Sequence, residues 1–233
     1  MKMKIIGHKG AASLAFENTL KSFQAAIDAG VDAVELDIRL TKDRQLVVIH
    51  DADLSRVSAD KREVKDLTLD EIQSVNLNSG DHIPSLSEVM ELIGDFPVVI
   101  DIKDIGSARL LINVLENFPN AQVSVASFKY HELSLIKALR PKMPAYVGSL
   151  TNPFDIVFIA RAIEADGLNI NFWLLNPFNY IMARRSSLNI VVYTVNNFFL
   201  GYFIHLLYPK AAICTNKPQL FIKQKKEFRE SKT

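Results

Sequence analysis

Between Val34 and Asp51 the chain reads Val-Glu-Leu-Asp-Ile-Arg-Leu-Thr-Lys-Asp-Arg-Gln-Leu-Val-Val-Ile-His-Asp, the stretch richest in residues able to do chemistry. Glu35 and Asp37 stand two apart in a run of β-forming residues, so a strand aims both carboxylates at one face, where packing alone would want apolar side chains. Only five residues link Leu40 to Leu46, whereas a parallel crossover needs a dozen or more, so the two segments are expected to pair as an antiparallel hairpin turning near Lys42-Asp43. That turn centre sets His50 opposite Glu35. Two carboxylates and an imidazole on one patch suit a divalent cation held beside a group that moves protons. The bland alternative is a rim hairpin with solvated charges.

The elements that must position this patch follow from periodicity. Lys4 to His8 is a short apolar run ending in Gly7-His8-Lys9-Gly10, a strand delivering His8 to a glycine-relaxed loop, and Glu17 to Ala29 is helical with Gly30 as its stop. Val31 to Leu40 forms the second strand, and Leu46 to Ile49 the return of the hairpin. Residues 52–84 are polar and weakly periodic, apart from a short helix capped by Thr68 with Glu71 closing the box, and are expected to form a small insertion over the mouth of the fold. Beyond Ser85, helices alternate with strands at Val98–Ile102, Gln122–Ala126, Ala145–Ser149, Asp166–Ile170, Ile190–Val195 and Ala211–Cys214. Without the return strand of the hairpin, eight strands are separated mostly by helices, the count of an α/β TIM (β/α)8 barrel. An open doubly wound sheet competes, but no Gly-x-Gly-x-x-Gly follows any strand. We expect one domain over 1–221 and a polar tail over 222–233.

In such a barrel, chemistry collects at the carboxyl ends of the strands. Strand one ends in His8-Lys9, strand two carries Glu35 and Asp37, its hairpin ends in His50, the next strand ends in Asp101-Ile102-Lys103, and the penultimate one in Tyr193-Thr194-Val195-Asn196. Glu35, Asp37 and Asp101 suit a hard cation, Mg²⁺ or Ca²⁺, better than zinc. Lys9 and Lys103 can balance an anionic ligand, and His8 and His50 can move protons near neutral pH, although either imidazole alone is more often structural.

Read together, these residues resemble the glycerophosphodiester phosphodiesterase family of bacterial cytoplasmic type. The likeness runs from His8-x-Gly10 through Glu17-Asn18-Thr19-Leu20, Glu35-x-Asp37, Thr41-Lys42-Asp43 and His50-Asp51, resumes at Asp101-x-Lys103, Ser127-Phe128 and Thr194-Val195-Asn196, and ends at Thr215-x-x-Pro218. The resemblance implies the barrel, a divalent cation on Glu35, Asp37 and Asp101, His8 and His50 as general acid and base, and Lys9 and Lys103 on the phosphate. Glu17, Tyr193 and Asn196 are counted on the substrate side; Glu17 could equally orient Lys9 or sit at a helix start where negative charge is favourable. It further implies hydrolysis of glycerophosphodiesters such as glycerophosphocholine and glycerophosphoethanolamine to sn-glycerol 3-phosphate and an alcohol. The chain departs from the family pattern at Lys9 (normally Arg), Asp101 (Glu), Tyr193 (Trp), Asn216 (Asp) and Phe16 (Pro). Two alternatives stand beside this reading: a phospholipase D-like enzyme on lysophospholipids, the lipid tail resting on the apolar helix near Phe198, and a catalytically weakened barrel that binds phosphodiesters or a protein partner.

Composition narrows the remaining choices. Lys and Arg number 27 against 26 Asp and Glu, so no global field attracts nucleic acid. Cys214, the single cysteine, excludes an intramolecular disulfide and a thiolate zinc cluster, and is expected to be a small buried hydrophobe. No signal-peptide core follows Met1, and no apolar run reaches membrane-spanning length, so a cytoplasmic protein without stable membrane insertion is expected.

Overall fold

The structure is a computed structural model and describes residues 3–149 and 155–223. Eight parallel strands close on themselves: β1 (Ile5–Gly7), β2 (Ala33–Leu40), β4 (Val98–Ile102), β5 (Val123–Ser127), β6 (Ala145–Ser149), β7 (Gly167–Asn171), β8 (Asn189–Tyr193) and β9 (Ala211–Thr215). The ring is sealed where β1 pairs with both β2 and β9. A ninth strand, β3 (Leu46–Val48), runs antiparallel to the upper half of β2. Helices α1 (Leu20–Ala29), α3 (Leu86–Ile93), α4 (Ser107–Leu115), α5 (Tyr130–Leu139), α6 (Ile156–Ala162), α7 (Pro177–Arg185) and α8 (Phe198–Leu207) make the crossovers, and the short α2 (Leu69–Gln73) lies in the insertion. Of the expected tail, 222–223 continue a helical segment, and 224–233 lie outside the described residues.

Strand parity decides what this architecture does with each side chain. On β2, Val34, Leu36 and Ile38 are fully buried outward against the helices, in one core with Phe23, Met90 and Ile100. The alternate residues point into the barrel. Ile6, Val99, Ala126, Val191, Ala212 and Cys214 fill its lower interior, with Tyr146 lying over Gly167 where a Cβ would clash. Strands covered on both sides explain the nearly continuous apolar runs in the sequence. The helix starts are written locally: Thr19, Thr68, Ser85 and Asn176 each close a capping box, an arrangement in which loss of the cap costs about 1 kcal/mol.

Two expectations need correction. Residues 52–84 are not merely polar cover: Leu54, Val57, Val64, Leu67, Ile72, Val75, Leu77 and Ile83 build a second small core with Val47 and Ile49. Their spacing is irregular because the segment consists of turns, bridges and one-turn helices, which impose no single period. The hairpin register also differs by one residue. Ile38 faces Val48 and Leu40 faces Leu46, so the turn is centred on Asp43, with Arg44 in the left-handed region at φ 63°. Continued, that register would set His50 across from the outward-facing Leu36. The ladder closes instead with the Ile49 N–H donating to the Asp37 carbonyl at 3.0 Å, and Arg39 Nε donates to the His50 carbonyl at 2.8 Å, leaving the imidazole to line the barrel mouth.

On the outside, α8 keeps Phe199, Phe203 and Leu206 exposed, while Phe198 tucks against Phe221. Among the described residues no helix is long and apolar enough to cross a membrane.

Candidate active site

At the carboxyl ends of the strands, parity converges the inward side chains of β2 and β4. Asp37 and Asp101 are register partners, and Glu35 lies one inward position below Asp37. Glu35, Asp37 and Asp101 are 6 %, 1 % and 4 % exposed, and one oxygen from each falls within 4.8 Å of the others. Lys103 Nζ bridges Asp37 Oδ1 at 2.8 Å and Asp101 Oδ2 at 2.7 Å, leaving three carboxylates against one nearby ammonium. Asp101 Oδ1 is buried with no hydrogen-bond partner. A buried acidic triad with an orphaned oxygen fits a hard divalent cation, which takes oxygen ligands.

The charges perturb one another strongly. Burial, reinforced by the neighbouring Asp37 charge, pushes Glu35 up to about 8, and burial likewise lifts Asp101 to about 7. Burial works to raise Asp37 too, but Lys103 and Lys9 outweigh it and hold that carboxyl at about 2. Burial opposes the charge on Lys103, yet Asp101 and Asp37 hold its pKa above the ordinary lysine value.

The loop after β1 is built to meet this cluster. Gly10 takes φ +80°, and a Cβ there would lie 2.5 Å from the Ser22 backbone; this close approach lets the loop fold back over α1. The Lys9 backbone N–H donates to Glu35 Oε2 at 2.9 Å. Glu17-Asn18-Thr19 then divides into three tasks. Glu17 accepts from Lys9 Nζ at 3.0 Å, Asn18 Nδ2 donates to Asp37 Oδ2 at 2.9 Å, and Thr19 caps α1.

Both histidines line the same chamber, each gripped from behind. His8 Nδ1 lies 2.6 Å from Asn216 Oδ1, and its Nε2 is 4.0 Å from Glu35 Oε2. His50 Nδ1 lies 2.7 Å from Asp51 Oδ1. In each ring Nδ1–H donates to the oxygen behind it, which presents Nε2 to the chamber. Burial lowers the pKa of both imidazoles.

The chamber occupies about 330 Å³. Its walls include His8, Glu35, Asp37, His50, Asp101, Lys103 and Tyr193 of the expected set, above a floor of Ile6, Val99, Val191 and Cys214. Lys9, Glu17 and Asn196 are not brought onto the walls. Lys9 is 8 % exposed and held by Glu17, while Asn196 Oδ1 accepts from the Asn216 backbone N–H at 2.9 Å and from Thr215 Oγ1, bracing the loop that carries the His8 partner. Phe128 lies over Gly148, where a Cβ would sit 3.0 Å from its ring, and Asn169 completes the far wall.

Sequence reasoning missed Arg56 and Asn169. Arg56 reaches from the insertion to grip Glu17 with two nitrogens, at 2.6 and 3.1 Å, while its Nε donates to Asp51 Oδ2. It thereby joins the carboxylate behind His50 to the carboxylate that holds Lys9. The surrounding insertion gave no periodic signal that would have singled it out. Asn169 was hidden inside a strand, where only inward parity would have flagged it.

Residues 8–220 match the sequence profile of the Glycerophosphoryl diester phosphodiesterase family. The chain belongs to this family. Within it, the protein is an enzyme of the phosphodiester hydrolase class. A glycerophosphodiester phosphodiesterase of Caldanaerobacter subterraneus subsp. tengcongensis is 32% identical over 214 residues, covering 84% of this chain and 87% of that one. A solved glycerophosphodiester phosphodiesterase from Thermotoga maritima superposes with a TM-score of 0.83 at 25% identity, over 96% of this chain and 99% of that one. An Oleispira antarctica phosphodiesterase solved with the product sn-glycerol-3-phosphate shares the fold, with a TM-score of 0.87 at 22% identity over 94% of each chain.

Proposed function

We propose that the chain hydrolyses small glycerophosphodiesters, glycerophosphocholine and glycerophosphoethanolamine among them, to sn-glycerol 3-phosphate and the free alcohol. The observation that carries this reading is the convergence of three buried carboxylates, one lysine and two histidines with free Nε2 atoms on one chamber. Glu35, Asp37 and Asp101 would hold Mg²⁺ or Ca²⁺, which when bound polarises phosphoryl oxygens. Lys103, adjacent to two of those carboxylates, faces the phosphate, and Lys9 adds charge from behind the wall.

His8 and His50 divide the acid and base roles. One Nε2 takes the proton of the attacking hydroxyl as its oxygen bonds to phosphorus, and the other gives a proton to the alcohol oxygen as its bond to phosphorus breaks. When a glycerol hydroxyl attacks first, a cyclic phosphate forms, and water then opens it with the proton transfers reversed. Asp51 and Asn216 fix the two rings by accepting from Nδ1. Glu17, Tyr193 and Asn196 support the substrate side, Glu17 by anchoring Lys9 and Asn196 by bracing the Asn216 loop.

The chamber size supports a small polar substrate over a lysophospholipid, since Phe199, Phe203 and Leu206 face outward on α8 and are not among its lining residues. We read 1–221 as one catalytic domain acting in the cytoplasm, without nucleic-acid partners. The test is release of sn-glycerol 3-phosphate from glycerophosphocholine with and without EDTA. Turnover that requires a divalent cation and falls about 10²- to 10⁴-fold in His8→Ala and in His50→Ala is expected. Phosphodiester binding without turnover under any divalent metal would favour the binding barrel instead.

A further inference from the structure

The acid-and-lysine wall of the chamber accounts for a phosphate and a cation, but the opposite wall has chemistry of its own. There β7 and β8 contribute Asn169 and Tyr193 beside the Phe128 ring. Asn169 pairs with Val191 in register, and Asn171 with Tyr193, so Asn169 and Tyr193 point inward from adjacent strands one layer apart. Asn169 is 8 % exposed, yet no hydrogen bond of its side-chain amide is found among the described residues. The Tyr193 hydroxyl, by contrast, is fully buried and has no partner among the described residues. Native structures rarely leave a fully buried hydroxyl such as that of Tyr193 unsatisfied, because a buried donor or acceptor without a partner costs about 1–3 kcal/mol, and beside it the Asn169 amide lines the chamber with its own hydrogen bonds unused. Asn171, the next residue inward along β7, shows the contrast: its side-chain oxygen accepts from the Trp173 backbone N–H.

We propose that Asn169 is a specificity-determining residue whose amide hydrogen-bonds the hydroxyl farthest from phosphorus at the polyol end of the substrate, with Tyr193 and Phe128 closing the wall around it. The proposal deepens the phosphodiesterase reading and rests on it for the direction in which the ligand lies. With the phosphate at Lys103, the far end of the ligand extends across the barrel toward β7. An amide offers two donors and an acceptor, which matches hydroxyls that both give and accept a proton. At about 330 Å³ the chamber is near the lower end for ligand sites, sized for a short polyol phosphate and not for an acyl chain. A site built to bond a hydroxyl rejects the analogue lacking it, because its own polar group is then left buried and unpaired.

The experiment compares calorimetric binding of sn-glycerol 3-phosphate and n-propyl phosphate, which differ in the two hydroxyls, to the wild type, Asn169→Leu and Asn169→Ala in the presence of magnesium. The wild type is expected to prefer glycerol 3-phosphate at least about 10-fold, and both variants to lose that preference by about 10- to 100-fold, the range for an unpaired buried hydrogen-bonding group. The alanine variant tests the proposal should leucine prevent folding. Equal preference in the wild type and both variants, or no preference in the wild type, would overturn it. Turnover of glycerophosphocholine is measured in parallel: turnover without hydroxyl preference removes only the Asn169 subsite, whereas preference without turnover upholds the subsite and removes the reaction.

Discussion

Lys103 is the internal counter-ion of the acidic site, and replacing it with methionine separates the charge arrangement from the fold. Its ammonium lies 2.8 Å from Asp37 and 2.7 Å from Asp101, and the side chain is largely shielded from water. Methionine fills a similar volume without charge and leaves three buried carboxylates facing one another. Removing one partner of a buried ion pair costs about 3–5 kcal/mol. Glu35 and Asp101, raised to about 8 and about 7, take up protons at neutral pH and relieve part of that repulsion, so the lower half of the range is expected. For a chain of this length each kcal/mol moves the melting temperature by about 2–4 °C, which puts the loss in EDTA at about 6–16 °C. A bound divalent cation would replace the missing charge and stabilise the folded state by mass action, so excess Mg²⁺ or Ca²⁺ should narrow the gap between variant and wild type. Thermal unfolding followed by circular dichroism, with EDTA and with excess cation, provides the comparison. An equal loss in both conditions, or no loss in EDTA, would refute the view that the lysine and the cation answer the same carboxylates.

Cation-free protein should lose stability as pH rises. Glu35 and Asp101 have raised folded values, so their stabilising contribution is complete below the ordinary carboxylate range and disappears as pH climbs through about 7 to 8, whereas Asp37, held at about 2, contributes above its ordinary value and does not change in this window. Melting temperatures in EDTA should therefore fall between about pH 7 and 8, above the range in which His8 and His50, with lowered values, add stability as they lose protons, and level out with excess cation; a flat profile there in EDTA would show that the carboxylates are not desolvated. Arg56→Ala should lower kcat for glycerophosphocholine by about 10-fold or more, because charge-assisted bonds to both Glu17 and Asp51 are lost. Retention of full activity, read as glycerol 3-phosphate release, would assign Arg56 to holding the insertion alone.

Local chemistry wrote much of this protein into its sequence. The strand Val98–Ile102 was bounded as observed because its signal, a β-branched run, is complete within the segment. The cap at Thr68 is likewise set by the residue and its partner Glu71 three positions on. Glu35 and Asp37 could be read as site residues because two acids on the inward face of a parallel strand contradict packing. The hairpin itself was legible, but its register was not, since the single left-handed residue Arg44 moves the turn centre and no propensity reports a one-residue slip. Only tertiary structure could bring His50 back to the chamber by ending β3 at Val48, set Arg56 between Glu17 and Asp51, and leave Asn169 without a partner. Those outcomes depend on which distant backbone lies within hydrogen-bonding reach, a property of barrel closure and shear that no window of the chain contains.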